Sequence, residues 1–193
     1  MNDVRATMGW LLVLAMVVSA RAEEPRYGAA SSTYDVKATV DSFTGRANSL
    51  PFSWMPGDEQ VRIVFEIAAM ETGKKKRDEE MRHMFHADTH PLIVGTAAAA
   101  DVFALAPGEE PVALPLAIEM HGITGEVTGV VTEVERADGE LVFTVAFPLV
   151  LSAFDLKAPS IMMVIRVADE VQVTARVSLS TSPPEKAAVV PAS

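Results

Sequence analysis

The sequence contains no cysteine. Disulfide staples, thiol nucleophiles and thiolate metal sites are therefore excluded, and the fold must hold itself together by burial. Positive charge is scarce as well: 16 Lys and Arg stand against 26 Asp and Glu, a formal net charge of −10. Nucleic-acid affinity rests on release of counterions by cationic groups, so a chain this acidic is not expected to bind nucleic acid. An anionic membrane surface is an equally poor match, unless the cluster Lys74, Lys75, Lys76 and Arg77 acts alone. Long apolar runs are also missing. The longest, MGWLLVLAMVV at residues 8–18, falls short of the ~20 residues that a membrane span requires.

That run is better read as the apolar core of a secretory signal. Arg5 precedes it, and Ala20-Arg21-Ala22 has the small-x-small form of a cleavage site, so residues 1–22 are expected to be a signal peptide cut after Ala22. Cleavage would remove Arg5, Arg21 and Asp3, leaving 14 basic and 25 acidic residues, a net charge of about −11. The product is expected to be periplasmic or secreted. The 171 residues that remain (193 minus 22) suffice for one domain with a full core.

What is present is period two. Tyr34, Val36, Ala38 and Val40 alternate with Asp35, Lys37, Thr39 and Asp41, and Val61, Ile63, Phe65, Ile67 and Ala69 repeat the pattern. Further strands are expected over residues 92–100, 112–120, 123–134, 141–150 and 161–179, the last broken near Ala168-Asp169-Glu170. Residues 23–32 read as a flexible leader and the proline-bearing residues 181–193 as a flexible tail, leaving a domain at 33–180. Only residues 75–88 break the alternation. They lack glycine, proline and β-branched residues and place Met81, Met84, Phe85 and Asp88 at helical spacing, which predicts one short helix. Seven or eight antiparallel strands with one helix indicate an all-β domain, either a closed barrel or a sandwich.

Four segments in order resemble the YceI-like, polyisoprenoid-binding family. They are Tyr34 to Phe43 with Thr44-Gly45; Thr72-Gly73 through Arg77-Asp78, a short helix and Pro91; Leu116 to Met120 with His121-Gly122-Ile123-Thr124; and Phe154-Asp155-Leu156, Ala158-Pro159-Ser160 and Asp169 to Val173. The pattern departs from the family at Glu80 and His90, where histidine and tyrosine are common, and in a shorter helix. The resemblance implies an extended, lipocalin-like antiparallel barrel of about eight strands. Its interior would hold an isoprenoid chain, a quinone or polyprenyl lipid, for transport, storage or sequestration, with no catalytic residues and no cofactor. Phe43, Phe65, Ile67, Leu116, Ile118, Phe143, Phe147, Phe154 and Met163 are expected as the apolar lining, although a plain core role demands the same residue types.

Two alternatives stay open. One is an exported structural or interaction barrel with a packed interior. The other is a metal protein using His83, His86 and His90, which stand at i, i+3 and i+7 and would share one helical face. No serine elbow or phosphate-binding glycine loop is present, so nothing points to an enzyme. Monomer and homodimer are equally compatible with the sequence.

Overall fold

The computed structural model describes residues 25–39, 41–55, 57–108, 110–157 and 167–180. The proposed signal peptide, Met163 and the expected tail lie outside them. Strands β1 (Arg26–Ala38), β2 (Phe43–Asn48), β3 (Phe52–Trp54) and β4 (Gln60–Glu66) lead to helix α1 (Lys75–Met84). Strand β5 (Leu92–Ala98) runs into a second helix, α2 (Ala99–Ala104), and β6 (Val112–Met120), β7 (Ile123–Ala137), β8 (Glu140–Val150) and β9 (Val167–Ser180) follow.

All pairings among these strands are antiparallel, in the order β2-β1-β9-β8-β7-β6-β5-β4, with β3 added beside β1. The two ends of this sheet meet. Arg46 and Glu71 exchange backbone hydrogen bonds of 2.8 and 2.9 Å, Ser49 bridges Phe65, and Leu50 donates to the Val64 carbonyl at 2.8 Å. The sheet is thereby curled into an antiparallel, lipocalin-like barrel, as expected. Strand β8 shows why these sequences make such walls: Leu141, Phe143, Val145, Phe147 and Leu149 are buried at every second position, because side chains alternate across the pleat.

Four local expectations are corrected. Strand β1 begins at Arg26, inside the stretch read as leader, because β9 pairs with it on one side and β2 and β3 on the other. Its inward residues there are Gly28 and Ala30, too small to register as a hydrophobic period. Strand β4 stops at Glu66, and residues 67–69 form a tight 3₁₀ turn, with the Ile67 amide on the Pro91 carbonyl at 2.9 Å. That turn drives Ile67 wholly into the core and leaves Ala69 exposed. The strand expected to reach residue 100 instead becomes α2, since the β4 ladder ends at Gln60↔Ala98 and alanine is the best helix former once pairing is lost. Finally, the break expected near Ala168-Asp169-Glu170 is an irregularity inside β9 and not its end: the ladder to β1 shifts register there, from Val36↔Val171 to Ala38↔Val167, while Glu170 still pairs with Val150 and Asp169 accepts the Ser152 amide at 2.8 Å.

Strand β5 spans the barrel, so α1, which precedes it, and α2, which follows it, sit at opposite ends. The α2 end is closed by packing. Trp54 stacks on Phe103 at 4.1 Å between ring centroids, Arg136 donates to the Leu105 and Phe103 carbonyls, and Val102 and Leu105 are buried beneath.

Candidate functional site

A cavity of about 470 Å³ occupies the barrel interior. Its walls are the inward positions of the strands: Tyr34 and Val36 of β1, Ile63 and Phe65 of β4, Ile93 and Gly95 of β5, and Leu116 and Ile118 of β6. Strand β8 adds Phe143, Val145, Phe147 and Leu149, β9 adds Val171, Val173 and Val177, and Met81 and Met84 of α1, with Phe85 just after it, cover one end. The space exists because several inward positions are small. At Gly95 a Cβ atom would meet only Ile118 Cδ1, at 3.8 Å, so this position opens into the cavity.

Of the residues expected as lining, Phe43, Phe65, Leu116, Ile118, Phe143 and Phe147 border this space. Ile67 and Phe154 do not. Ile67 is turned away by the 3₁₀ turn, and the Phe154 ring lies across Gly125 on β7, where a Cβ atom would come within 2.8 Å of it. Both are core residues. The sequence reading missed Tyr34, Gly95 and the α1 pair Met81 and Met84. The helical spacing of the methionines was visible; that their face turns toward the barrel interior was not.

All ionisable side chains of the lining except the Tyr34 phenol gather at the α1 end: Asp41, Lys74, Lys76, Arg77 and Glu80. Asp41 Oδ2 accepts a 2.8 Å hydrogen bond from Lys74 Nζ and lies 3.9 Å from Arg77. The Lys74 hydrogen bond and charge, helped by Arg77, hold the Asp41 carboxyl below the usual range. The Arg77 guanidinium also sits 3.9 Å above the Phe43 ring centroid, a cation–π contact, and its side chain is only 19% exposed.

The first turn of α1 is fastened from below. Asp78 Oδ1 accepts from the Thr72 amide at 2.8 Å and the Thr72 hydroxyl at 2.6 Å, and both residues are buried. This contact explains the spacing of Thr72-Gly73 and Arg77-Asp78 in the sequence: Gly73, at φ +75°, turns the chain so that a helix can close back on the residue before it. Beside it, the Tyr34 hydroxyl lies 3.4 Å from the Glu71 carbonyl and 3.5 Å from Met81 Sδ. Burial pushes the Tyr34 phenol far above its ordinary value, the Asp78 charge adds to this, and Arg77 opposes it.

A pH prediction follows from that shift. The unfolded phenol loses its proton near pH 10 while the folded one keeps it, so above that pH the unfolded state binds fewer protons. Stability is then expected to be intact below about pH 10 and to fall as pH rises beyond it. Thermal unfolding between pH 8 and 11.5, compared with Tyr34→Phe, checks this. Equal alkaline slopes in the two proteins would refute the assignment.

The histidines assemble differently from the expected trio. Helix α1 ends at Met84, and His86 takes φ +50°, which breaks the helical period before His90. His86 and His90 instead meet His121 of the β6–β7 turn, each with ring centroids 4.9 Å from it, and His83 is not in this group. His121 Nδ1 lies 3.0 Å from the Phe154 carbonyl, which can only accept, so Nδ1 carries the proton. Its Nε2 then accepts from His86 Nδ1 at 3.2 Å. The cluster ties the β6–β7 turn to residues 151–154 and to the loop after α1. Among the described residues no group of three or more metal-ligating side chains is arranged to hold an ion.

The fold and cavity can be set beside known proteins. No curated protein matches the chain. A polyisoprenoid binding domain from Saccharophagus degradans, implicated in plant cell wall breakdown, superposes with a TM-score of 0.65 at 17% identity, covering 82% of this chain and 98% of that one. BcnA of Burkholderia cenocepacia gives a TM-score of 0.57 at 21% identity, covering 77% and 95% respectively. The YceI-like domain family model matches residues 21–179, most of the chain, in agreement with the barrel just described. This protein belongs to the YceI-like domain family.

Proposed function

We propose that this protein is an exported, non-catalytic lipid carrier that holds an isoprenoid chain in the barrel interior. The observation that carries this reading is the cavity of about 470 Å³ with its almost wholly apolar strand walls. Its volume falls in the range of about 300–1,000 Å³ usual for small-molecule sites. Each buried CH₂ contributes ~0.8 kcal/mol, so a five-carbon prenyl unit contributes about 4 kcal/mol. A few units offset an association cost of about 4–15 kcal/mol without any polar contact. The solved relative described as a polyisoprenoid binding domain supports the same ligand class. The signal-like segment at residues 1–22 supports export.

The test is extraction. Gently purified protein, treated with organic solvent and examined by mass spectrometry, is expected to release a prenyl lipid. Delipidated protein is expected to take up an added prenyl quinone with a rise in Tm, because a ligand that binds only the folded state stabilises it. If nothing is released and nothing is taken up, the barrel is a structural or interaction module.

A further inference from the structure

Helix α1, which covers one end of the cavity, is fastened at both of its own ends, by different chemistry. Carboxylates hold its start: Asp78 takes the Thr72 amide and hydroxyl, and Asp41 takes the Lys74 ammonium. Histidines hold its finish. Met84 and Phe85, which border the cavity, are followed at once by His86, whose Nδ1 stands 3.2 Å from Nε2 of His121 on the β6–β7 turn. The His90 ring packs edge-on against the same imidazole, beside Gly122, where a Cβ atom would come within 3.2 Å of it.

This fastening tolerates few protons. His121 Nδ1 donates to the Phe154 carbonyl, so Nε2 is its one acceptor, and His86 Nδ1 fills it. A single added proton is accommodated, since His121 Nε2 can donate it to His86 Nδ1 once His86 carries its own hydrogen on Nε2. A second puts N–H groups on both facing nitrogens, and the rings must part. The elements packed on the cluster bring exposed carboxylates: Asp88 from the loop, Glu119 and Glu126 from the strands flanking the turn, and Asp155 beyond residues 151–154. None of them forms an ion pair with an imidazole, and Arg82, His83 and Lys157 add only positive charge nearby. The two bonded histidines also stand in left-handed backbone, at φ +50° for His86 and +52° for His121, a conformation that costs a residue with a Cβ. When the bond goes, nothing in the cluster offsets that strain.

We infer that His86, His90 and His121 form a pH-operated clasp, which at neutral pH holds residues 84–90 against the β6–β7 turn and on acidification opens that end of α1, releasing what the barrel holds. The lipid cargo is taken from the carrier reading; the clasp adds the signal for its release. The opened cluster binds more protons than the closed one, so opening is favoured as pH falls through the range of about 5 to 8 in which histidine gains charge.

The experiment measures amide exchange and prenyl quinone release on the mature protein at pH 7.5 and pH 5.0. The amides of Ala87, Thr89 and His90, which donate to the Arg82 and His86 carbonyls, report the loop. Their protection, corrected for the intrinsic exchange rate, is expected to fall about tenfold at the lower pH, the worth of roughly one hydrogen bond, and bound quinone to leave about tenfold faster. His86→Asn with His90→Asn is expected to behave at both pH values as the wild type does at pH 5.0; asparagine tolerates the left-handed turn, so the barrel stays folded. His83→Gln, outside the cluster, is expected to keep the wild-type response.

Wild-type protection equal at the two pH values, or a double variant as protected at pH 7.5 as the wild type, would overturn the clasp and leave the carrier reading standing. A pH response that survives in the double variant would overturn it too, since other groups would then drive the change. Loss of protection with unchanged quinone release would refute the link from clasp to cavity. If quinone binds at neither pH, the carrier reading fails, and amide exchange alone decides the clasp.

Discussion

Gly95→Phe is expected to abolish lipid uptake while leaving the barrel folded. Gly95 lies on β5 between Ile63 of β4 and Ile118 of β6, and it faces the cavity with no atom but Ile118 Cδ1 within 4 Å of where its Cβ would stand. A phenylalanine there suits a strand and meets no backbone. Its ring must project into the space that the tail would fill. Displacing about one prenyl unit removes roughly 4 kcal/mol of burial. That corresponds to a loss of roughly a thousandfold in affinity. The control is Val130→Phe, an exposed position on the outer face of β7, which is expected to bind as the wild type does. Titration of a prenyl quinone into both variants, with circular dichroism to verify folding, decides the matter. Undiminished binding by folded Gly95→Phe would show that lipid sits somewhere other than this cavity.

The second large effect concerns the first turn of α1. Asp78→Ala removes the acceptor of two hydrogen bonds and strands a buried amide and hydroxyl on Thr72. Bonds to a charged acceptor contribute ~1.5–3 kcal/mol each, and they are not additive, so a loss of about 3 kcal/mol is expected. For a domain of this size that lowers Tm by roughly 6–12 °C. Glu79→Ala, one residue along and exposed, is expected to change Tm hardly at all, and Asp78→Asn, which keeps one acceptor oxygen, to fall between. Because α1 carries Lys76, Arg77, Met81 and Met84 to the cavity, loosening its first turn is also expected to hasten ligand release. Chemical denaturation of the three variants checks the order. If Asp78→Ala were no less stable than Glu79→Ala, the Thr72–Asp78 contact would not be what fastens the helix.

The fold class was legible because alternation is local: a residue two positions away always shares a face of the pleat, whatever the rest of the chain does. For the same reason the expected wall residues well inside strands, such as Phe143 and Phe147 on β8, point inward. Ile67 and Phe154 were misplaced because each lies just beyond a strand end, in a 3₁₀ turn, where the period no longer holds. The extra helix α2 was hidden because alanine suits a helix, and only the loss of a pairing partner beyond Ala98 decides against the strand. His83, His86 and His90 looked like one face for as long as the helix was assumed to continue; the left-handed turn at His86 separates them.

By itself, then, the sequence determined an acidic, cysteine-free β domain with one charged helical connector and the segment order of its family. Those properties follow from composition and short-range periodicity. Whether the interior would be packed or hollow only the tertiary structure decided. An apolar side chain serves a filled core and a tunnel wall equally well, and the difference is a matter of volume summed over strands far apart in the chain. The charged end of the cavity likewise depends on Asp41 meeting Lys74 and Arg77 across a turn of the barrel, an encounter that closure of the sheet creates and that no local pattern encodes.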